Sequence, residues 1–135
     1  MTNNSNSKLL KISLIIFIIV ALLYGFVHLF IPQVNVEASG GDPVPSGWLR
    51  WMGGILLSLG IGGIMVYMKP KGQRIFVTTL VIGSLLAGLA LIFSALFEPE
   101  GIGDIMQTLI PGIILVILGV LLWISLKQSK ELLTQ

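Results

Sequence analysis

Four stretches of this chain, residues 12–31, 48–68, 75–97 and 105–126, each run for twenty or more predominantly apolar residues and hold a single charged side chain between them, Arg50. As helices rising about 1.5 Å per residue, such stretches reach about 30 Å, the depth of a bilayer's hydrocarbon core. Only 10% of the residues are charged and mean hydropathy is +0.99, whereas water-soluble chains carry roughly a quarter charged residues. A lipid-facing surface resolves the excess, because hydrocarbon requires no polar exterior. The expected fold is therefore all-α: an integral membrane four-helix bundle of up-down-up-down topology. With 135 residues, it forms a single membrane domain without a separate soluble module.

The segments between the runs carry the punctuation. Residues 1–7 are polar and read as a short disordered tail. Pro32 ends the first run, and Gly40, Gly41, Asp42, Pro43 and Pro45 mark residues 32–47 as a loop. Ser46 stands where a helix N-cap is wanted. The turn at 69–74 is short and basic, so the second and third runs should be antiparallel neighbours. A second acidic loop spans 98–104, and residues 127–135 read as a polar tail. Lys8 and Lys11 before an apolar run also describe a signal peptide, with Val36-Glu37-Ala38 as a cleavage-compatible site. An ordinary signal core has about 7–15 apolar residues, so the longer run is read as a retained span.

Charge sets the orientation. If the chain crosses four times, Lys8, Lys11, Lys69, Lys71, Arg74, Lys127 and Lys130 fall on one side and only Arg50 on the other. Glu37, Asp42, Glu98, Glu100 and Asp104 take the opposite side, leaving Glu131 with the lysines. Basic loops stay cytoplasmic, so both termini are expected there. The basic residues lie in scattered pairs rather than on one face, which argues against nucleic acid as a partner.

Small residues suggest how the helices meet. Gly54, Ser58 and Gly62 share one stripe of the second run, and Ser84 and Gly88 one of the third, with Gly83 and Ala87 one position earlier. Such stripes let backbones approach where lipid provides no hydrophobic drive between helices, so a tight contact of the second run with the third is expected. The alternative is that one stripe makes a homo-oligomer interface. Pro111, followed by Gly112, is expected to bend the fourth run and free a carbonyl near Gln107.

The midplane of the runs holds no ionisable residue, which lowers proton-coupled transport, voltage sensing and intramembrane redox relay. Polarity gathers toward the outer leaflet. Tyr24 and His28 share a face of the first run; Asp104, Gln107 and Pro111 share one of the fourth; Arg50 lies in the first turn of the second, between Trp48 and Trp51. If those faces turn inward, Tyr24, His28, Arg50, Asp104 and Gln107 line one outward-opening pocket for a lipid or lipophilic ligand. The plainer reading makes Arg50 an interfacial arginine that snorkels to phosphates within an aromatic belt, and His28 a satisfied interface histidine. Trp123 and Tyr67 suit the inner belt. Glu98, Glu100 and Asp104 make a weak case for a divalent cation, and Asp104 is also a candidate cap for the fourth run. No cysteine is present, and a single histidine provides no second imidazole for haem or zinc. GxSxG, HExxH and a lysine-bearing phosphate loop are absent. Neither a catalytic residue, a cofactor nor a metal is expected.

Gly25 and Pro32 around the end of the first run, then Arg50-Trp51-Met52-Gly53-Gly54 opening the second with Gly60 further along, resemble the DoxX-like superfamily of small bacterial four-helix membrane proteins. The nearest likeness is to a subgroup of unknown function, across the first three runs. The resemblance implies a four-helix bundle in a prokaryotic cytoplasmic membrane and no set activity, and the cysteines of redox-linked relatives are missing here. The expected role is a non-enzymatic accessory or interaction subunit; a small oligomeric transporter or channel and a lipid-binding protein are the alternatives.

Overall fold

Without water to compete for them, peptide N–H and C=O groups must bond within their own segment, and a helix is the form that achieves this in a single apolar run. The computed structural model describes residues 4–39, 44–97 and 108–134. Among the described residues every regular element is helical and no strand occurs. The elements are α1 (Asn4–Phe30), α2 (Pro32–Ser39), α3 (Ser46–Met68), α4 (Arg74–Phe97), α5 (Ile110–Gln128) and α6 (Lys130–Thr134). Four stretches are long and apolar enough to cross a membrane: Lys8–Phe30, Ser46–Met68, Arg74–Phe97 and Ile110–Gln128. Their outward faces are themselves apolar, with Ile75 82%, Met68 71% and Phe97 69% exposed, a surface suited to lipid rather than to water.

The helices assemble as two glycine-mediated pairs. In the first, α1 lies on α3: a Cβ at Gly53 would stand 2.5 Å from the Leu29 amide nitrogen and 2.8 Å from the Gly25 carbonyl oxygen. Further along, Gly60 meets Leu22 and Gly63 meets Ile18. Positions rise along α3 as they fall along α1, so this pair runs antiparallel. In the second pair α4 lies on α5, where a Cβ at Gly88 would stand 2.8 Å from the Gly112 carbonyl oxygen, and Gly119 meets Leu85. That pair is antiparallel for the same reason. α1 also packs on α5, which joins the pairs.

All the long helices meet at one end. Leu10, Leu14, Phe17 and Ala21 of α1, Val66 of α3, Val77, Leu80 and Val81 of α4, Leu122 of α5 and Leu133 of α6 form one buried cluster. The start of α1, the end of α3, the start of α4 and the end of α5 therefore share a common end, and the basic residues flank it.

Several expectations change. The tight pairing of the second run with the third through Gly54, Ser58, Gly62, Ser84 and Gly88 is not what the structure shows. Gly88 packs on α5, a Cβ at Gly54 would meet nothing within 4 Å, and Ser58 is exposed with its hydroxyl donating to the Ile55 carbonyl at 2.7 Å. A Cβ at Gly62 would meet the Phe76 ring of α4 rather than α4 backbone among its nearest neighbours, while Ser84 is buried. Glycine lies on more than one face of α3, and the face bearing Gly53, Gly60 and Gly63 takes α1 instead. Residues 32–39 are helical, not loop: Pro32 ends α1 yet fits the start of α2, where its missing N–H is not required, and Val36 is buried at 2% exposed. Ser46 begins α3 without a capping hydrogen bond; its hydroxyl instead accepts from Gln33 Nε2 at 3.0 Å, which also donates to the Val44 carbonyl at 2.7 Å. The helix of α1 begins at Asn4, inside the expected tail. The C-terminal tail folds into α6 because Leu133, 0% exposed, enters the common cluster. Pro111 is the second residue of α5 and follows a wide, π-type turn at 108–109, while the part of the fourth run before it, with the carbonyl expected near Gln107, lies outside the described residues.

Candidate functional site

The outer polar group is built first on α1. Tyr24 and His28, one turn apart, stack with ring centroids 5.8 Å apart and planes 17° from parallel. His28 is 6% exposed. Its Nδ1 lies 2.7 Å from the Tyr24 carbonyl oxygen, and a carbonyl can only accept, so Nδ1 carries a proton and a neutral ring keeps its lone pair on Nε2. The backbone of His28 is also where α3 comes closest, since a Cβ at Gly53 would stand 2.9 Å from the His28 carbonyl carbon. The histidine is thus tied to its own helix by one nitrogen, and the neighbouring helix backbone lies close against it.

Arg50 lies one turn before Gly53 on α3 and is exposed. Trp48 and Trp51, on either side of it in sequence, pack edge to face on each other, with centroids 6.1 Å apart at 87°, and are 68% and 64% exposed. An exposed cation beside a pair of outward indoles is a composition common at membrane–water interfaces. At the opposite end Lys127 Nζ sits 4.5 Å over the Trp123 ring, a cation–π contact that holds the ammonium against the indole. Asp104 and Gln107 lie outside the described residues, as do Asp42, Glu98 and Glu100. Of the five expected pocket residues, the structure brings Tyr24 and His28 together and leaves Arg50 on the surface near the same end of the α1–α3 pair. Among the described residues no group of three or more His, Asp or Glu stands together as a metal site.

One polar feature was missed. Ser13 of α1 and Ser125 of α5, 1% and 0% exposed, face each other at 2.8 Å between their hydroxyl oxygens. Ser13 also reaches the Leu9 carbonyl at 2.9 Å and Ser125 the Leu121 carbonyl at 2.7 Å. Each hydroxyl has one proton, so the two protons serve three bonds, one hydroxyl bonding to its carbonyl while the other bonds either to its carbonyl or across the interface. The bridge fixes the register of α1 against α5. A serine in an apolar run was its only trace in sequence.

Comparison of the chain with known protein families, with curated proteins and with solved structures finds no match.

Proposed function

We propose that this chain is a multi-pass protein of a prokaryotic plasma membrane, an up-down-up-down bundle with both termini cytoplasmic, and that it serves as a non-enzymatic accessory or interaction subunit. The orientation rests on the gathering of seven basic residues against one acidic residue toward the end where Leu10 of α1 and Leu133 of α6 are buried together. Membership in the DoxX-like superfamily, resting on the Arg50-x-x-Gly53-Gly54 pattern, is part of the same reading.

The observation that carries the role is a second set of small residues that the internal packing does not use. Gly53, Gly60, Gly63, Gly88, Gly112 and Gly119 close the two helix pairs. Gly54 and Ser58 on α3 and Gly83 and Ala87 on α4 are exposed, and a Cβ at Gly54 or Gly83 would meet nothing within 4 Å. In lipid, a flat surface of small residues is where another helix can approach closely, gaining dispersion and weak C–H···O contacts. The experiment is native mass spectrometry of the protein released gently from its own membrane, alongside disulfide or maleimide crosslinking of Gly54→Cys and Gly83→Cys in that membrane. A stoichiometric foreign membrane protein captured by either cysteine supports the accessory reading. Capture of a second copy alone moves the role to a homo-oligomer such as a small channel, and a monomer with no adduct removes the interaction role.

A second reading, lipid or lipophilic-ligand binding at the outer end, draws on the exposed Arg50 and the outward Trp48–Trp51 pair beside it in sequence. A retained lipid that is lost on Arg50→Ala supports it; a lipid content unchanged by the substitution removes it.

A further inference from the structure

At the basic end, the last residue of α3, the connection to α4 and the short α6 enclose an open cleft of about 450 Å³ lined by Met68, Lys69, Pro70, Lys71 and Leu132. We infer that this cleft binds the phosphate headgroup of an anionic phospholipid, with the two lysines holding the phosphate and Met68 and Leu132 receiving the upper part of the lipid. The inference rests on the membrane reading above, which places the cleft at the end of a span.

Three observations carry it. The cleft is held in shape by the fold. Gly72, at φ +74°, and the Gln73 N–H bonded to the Pro70 carbonyl at 3.2 Å form a tight turn that fixes both lysine backbones. Lys69 is further held by its own N–H, bonded to the Met65 carbonyl at 2.9 Å. The opposite wall is anchored because Leu133, beside Leu132, is fully buried in the common cluster. Next, the lining is amphipathic in the way a lipid is: three apolar side chains and two exposed cations, with Met68 71% exposed. Finally, the charge is complementary. Lys8, Lys11, Arg74, Lys127 and Lys130 surround this end, with Glu131 the only acid there among the described residues, a field that concentrates anionic headgroups at the surface.

The lysines are separable from the field, and that gives the test. The full-length protein in neutral detergent is titrated with dioleoylphosphatidylglycerol or dioleoylphosphatidylcholine and bound lipid is counted by native mass spectrometry at low salt. The expected result is one phosphatidylglycerol retained in clear preference to phosphatidylcholine. Lys69→Gln with Lys71→Gln weakens it about a hundred-fold or more, because each lysine loses a charge-assisted hydrogen bond to the phosphate and not only its share of the surface field. Lys8→Gln with Lys11→Gln removes the same charge from the same end and leaves the preference within about three-fold. Lys69→Arg with Lys71→Arg retains binding, and unchanged helicity of each variant by circular dichroism separates lost binding from lost folding. Equal loss in the two Gln pairs, or no preference between the lipids, overturns the site. Displacement of the lipid by equimolar inorganic phosphate overturns the lipid as occupant in favour of a free phosphate. The titration is made in detergent and does not depend on orientation, so a reversed topology would overturn the membrane reading without altering this result.

Discussion

Gly53 and Gly54 are sequence neighbours whose substitution by alanine should have opposite effects. At Gly53 the new methyl would lie 2.5 Å from the Leu29 nitrogen, 2.8 Å from the Gly25 oxygen and 2.9 Å from the His28 carbonyl carbon. All three are backbone atoms of α1, so no rotamer change relieves the contact. An ordinary carbon contact begins near 3.5 Å, so α1 and α3 must separate by roughly 1 Å. Such a gap forfeits a quarter to a half of each dispersion well along the seam, and over-packing of a close interface costs about 1–3 kcal/mol. With rigid backbone on both sides the upper end applies, so Gly53→Ala should lose about 3 kcal/mol, more than a hundredfold in the folding equilibrium constant. At Gly54 the methyl meets nothing within 4 Å, and replacing a mid-helix glycine gains up to about 1 kcal/mol. Unfolding by sodium dodecyl sulfate in mixed micelles, followed by circular dichroism, measures both. Equal midpoints for the two variants would refute the pairing of α1 with α3 at this site.

Other residues give independent checks. Ser13→Ala or Ser125→Ala should each cost less than about 1 kcal/mol, because the remaining hydroxyl keeps its own carbonyl, and the double-mutant cycle should return a coupling near 0.6 kcal/mol; zero coupling would remove the bridge from the α1–α5 interface. Gly72→Ala places an L side chain in the left-handed region and should cost about 1–2 kcal/mol in the same denaturation assay. Leu133→Ala should cost about 2–5 kcal/mol if α6 is anchored as described, whereas an unanchored tail would show no change. Gln33→Ala frees two hydrogen bonds that tie α2 to the start of α3 and should speed proteolysis within residues 40–45; an unchanged cleavage rate would show that the tie is not limiting.

The helical class and the four long apolar helices were legible because hydrocarbon leaves an apolar run one way to satisfy its backbone. Pairing was not. Helix α3 presents Gly53, Gly60 and Gly63 to α1 while Gly54 and Ser58 remain outward, and a run with small residues on several faces does not announce which one its partner will take. The i, i+4 relation of Tyr24 and His28 was readable because it is local. The Ser13–Ser125 bridge joins residues 112 apart, and nothing in either run marks the other as its partner. Helices α2 and α6 escaped for a different reason: each is short, carries several polar residues, and is held by a few inward side chains, Pro32 and Val36 in α2 and Leu132 and Leu133 in α6, whose burial is a property of the assembled fold.

Membrane placement underlies every functional statement above and is open to one direct measurement. The chain has no cysteine, so Gly47→Cys, Lys71→Cys and Thr134→Cys each create a single reactive thiol at an exposed position. A membrane-impermeant maleimide applied to intact spheroplasts should label Gly47→Cys alone, and inside-out vesicles should reverse the pattern. Labelling of Lys71→Cys or Thr134→Cys from the outside of sealed spheroplasts would contradict the cytoplasmic placement of the basic end and with it the proposed architecture.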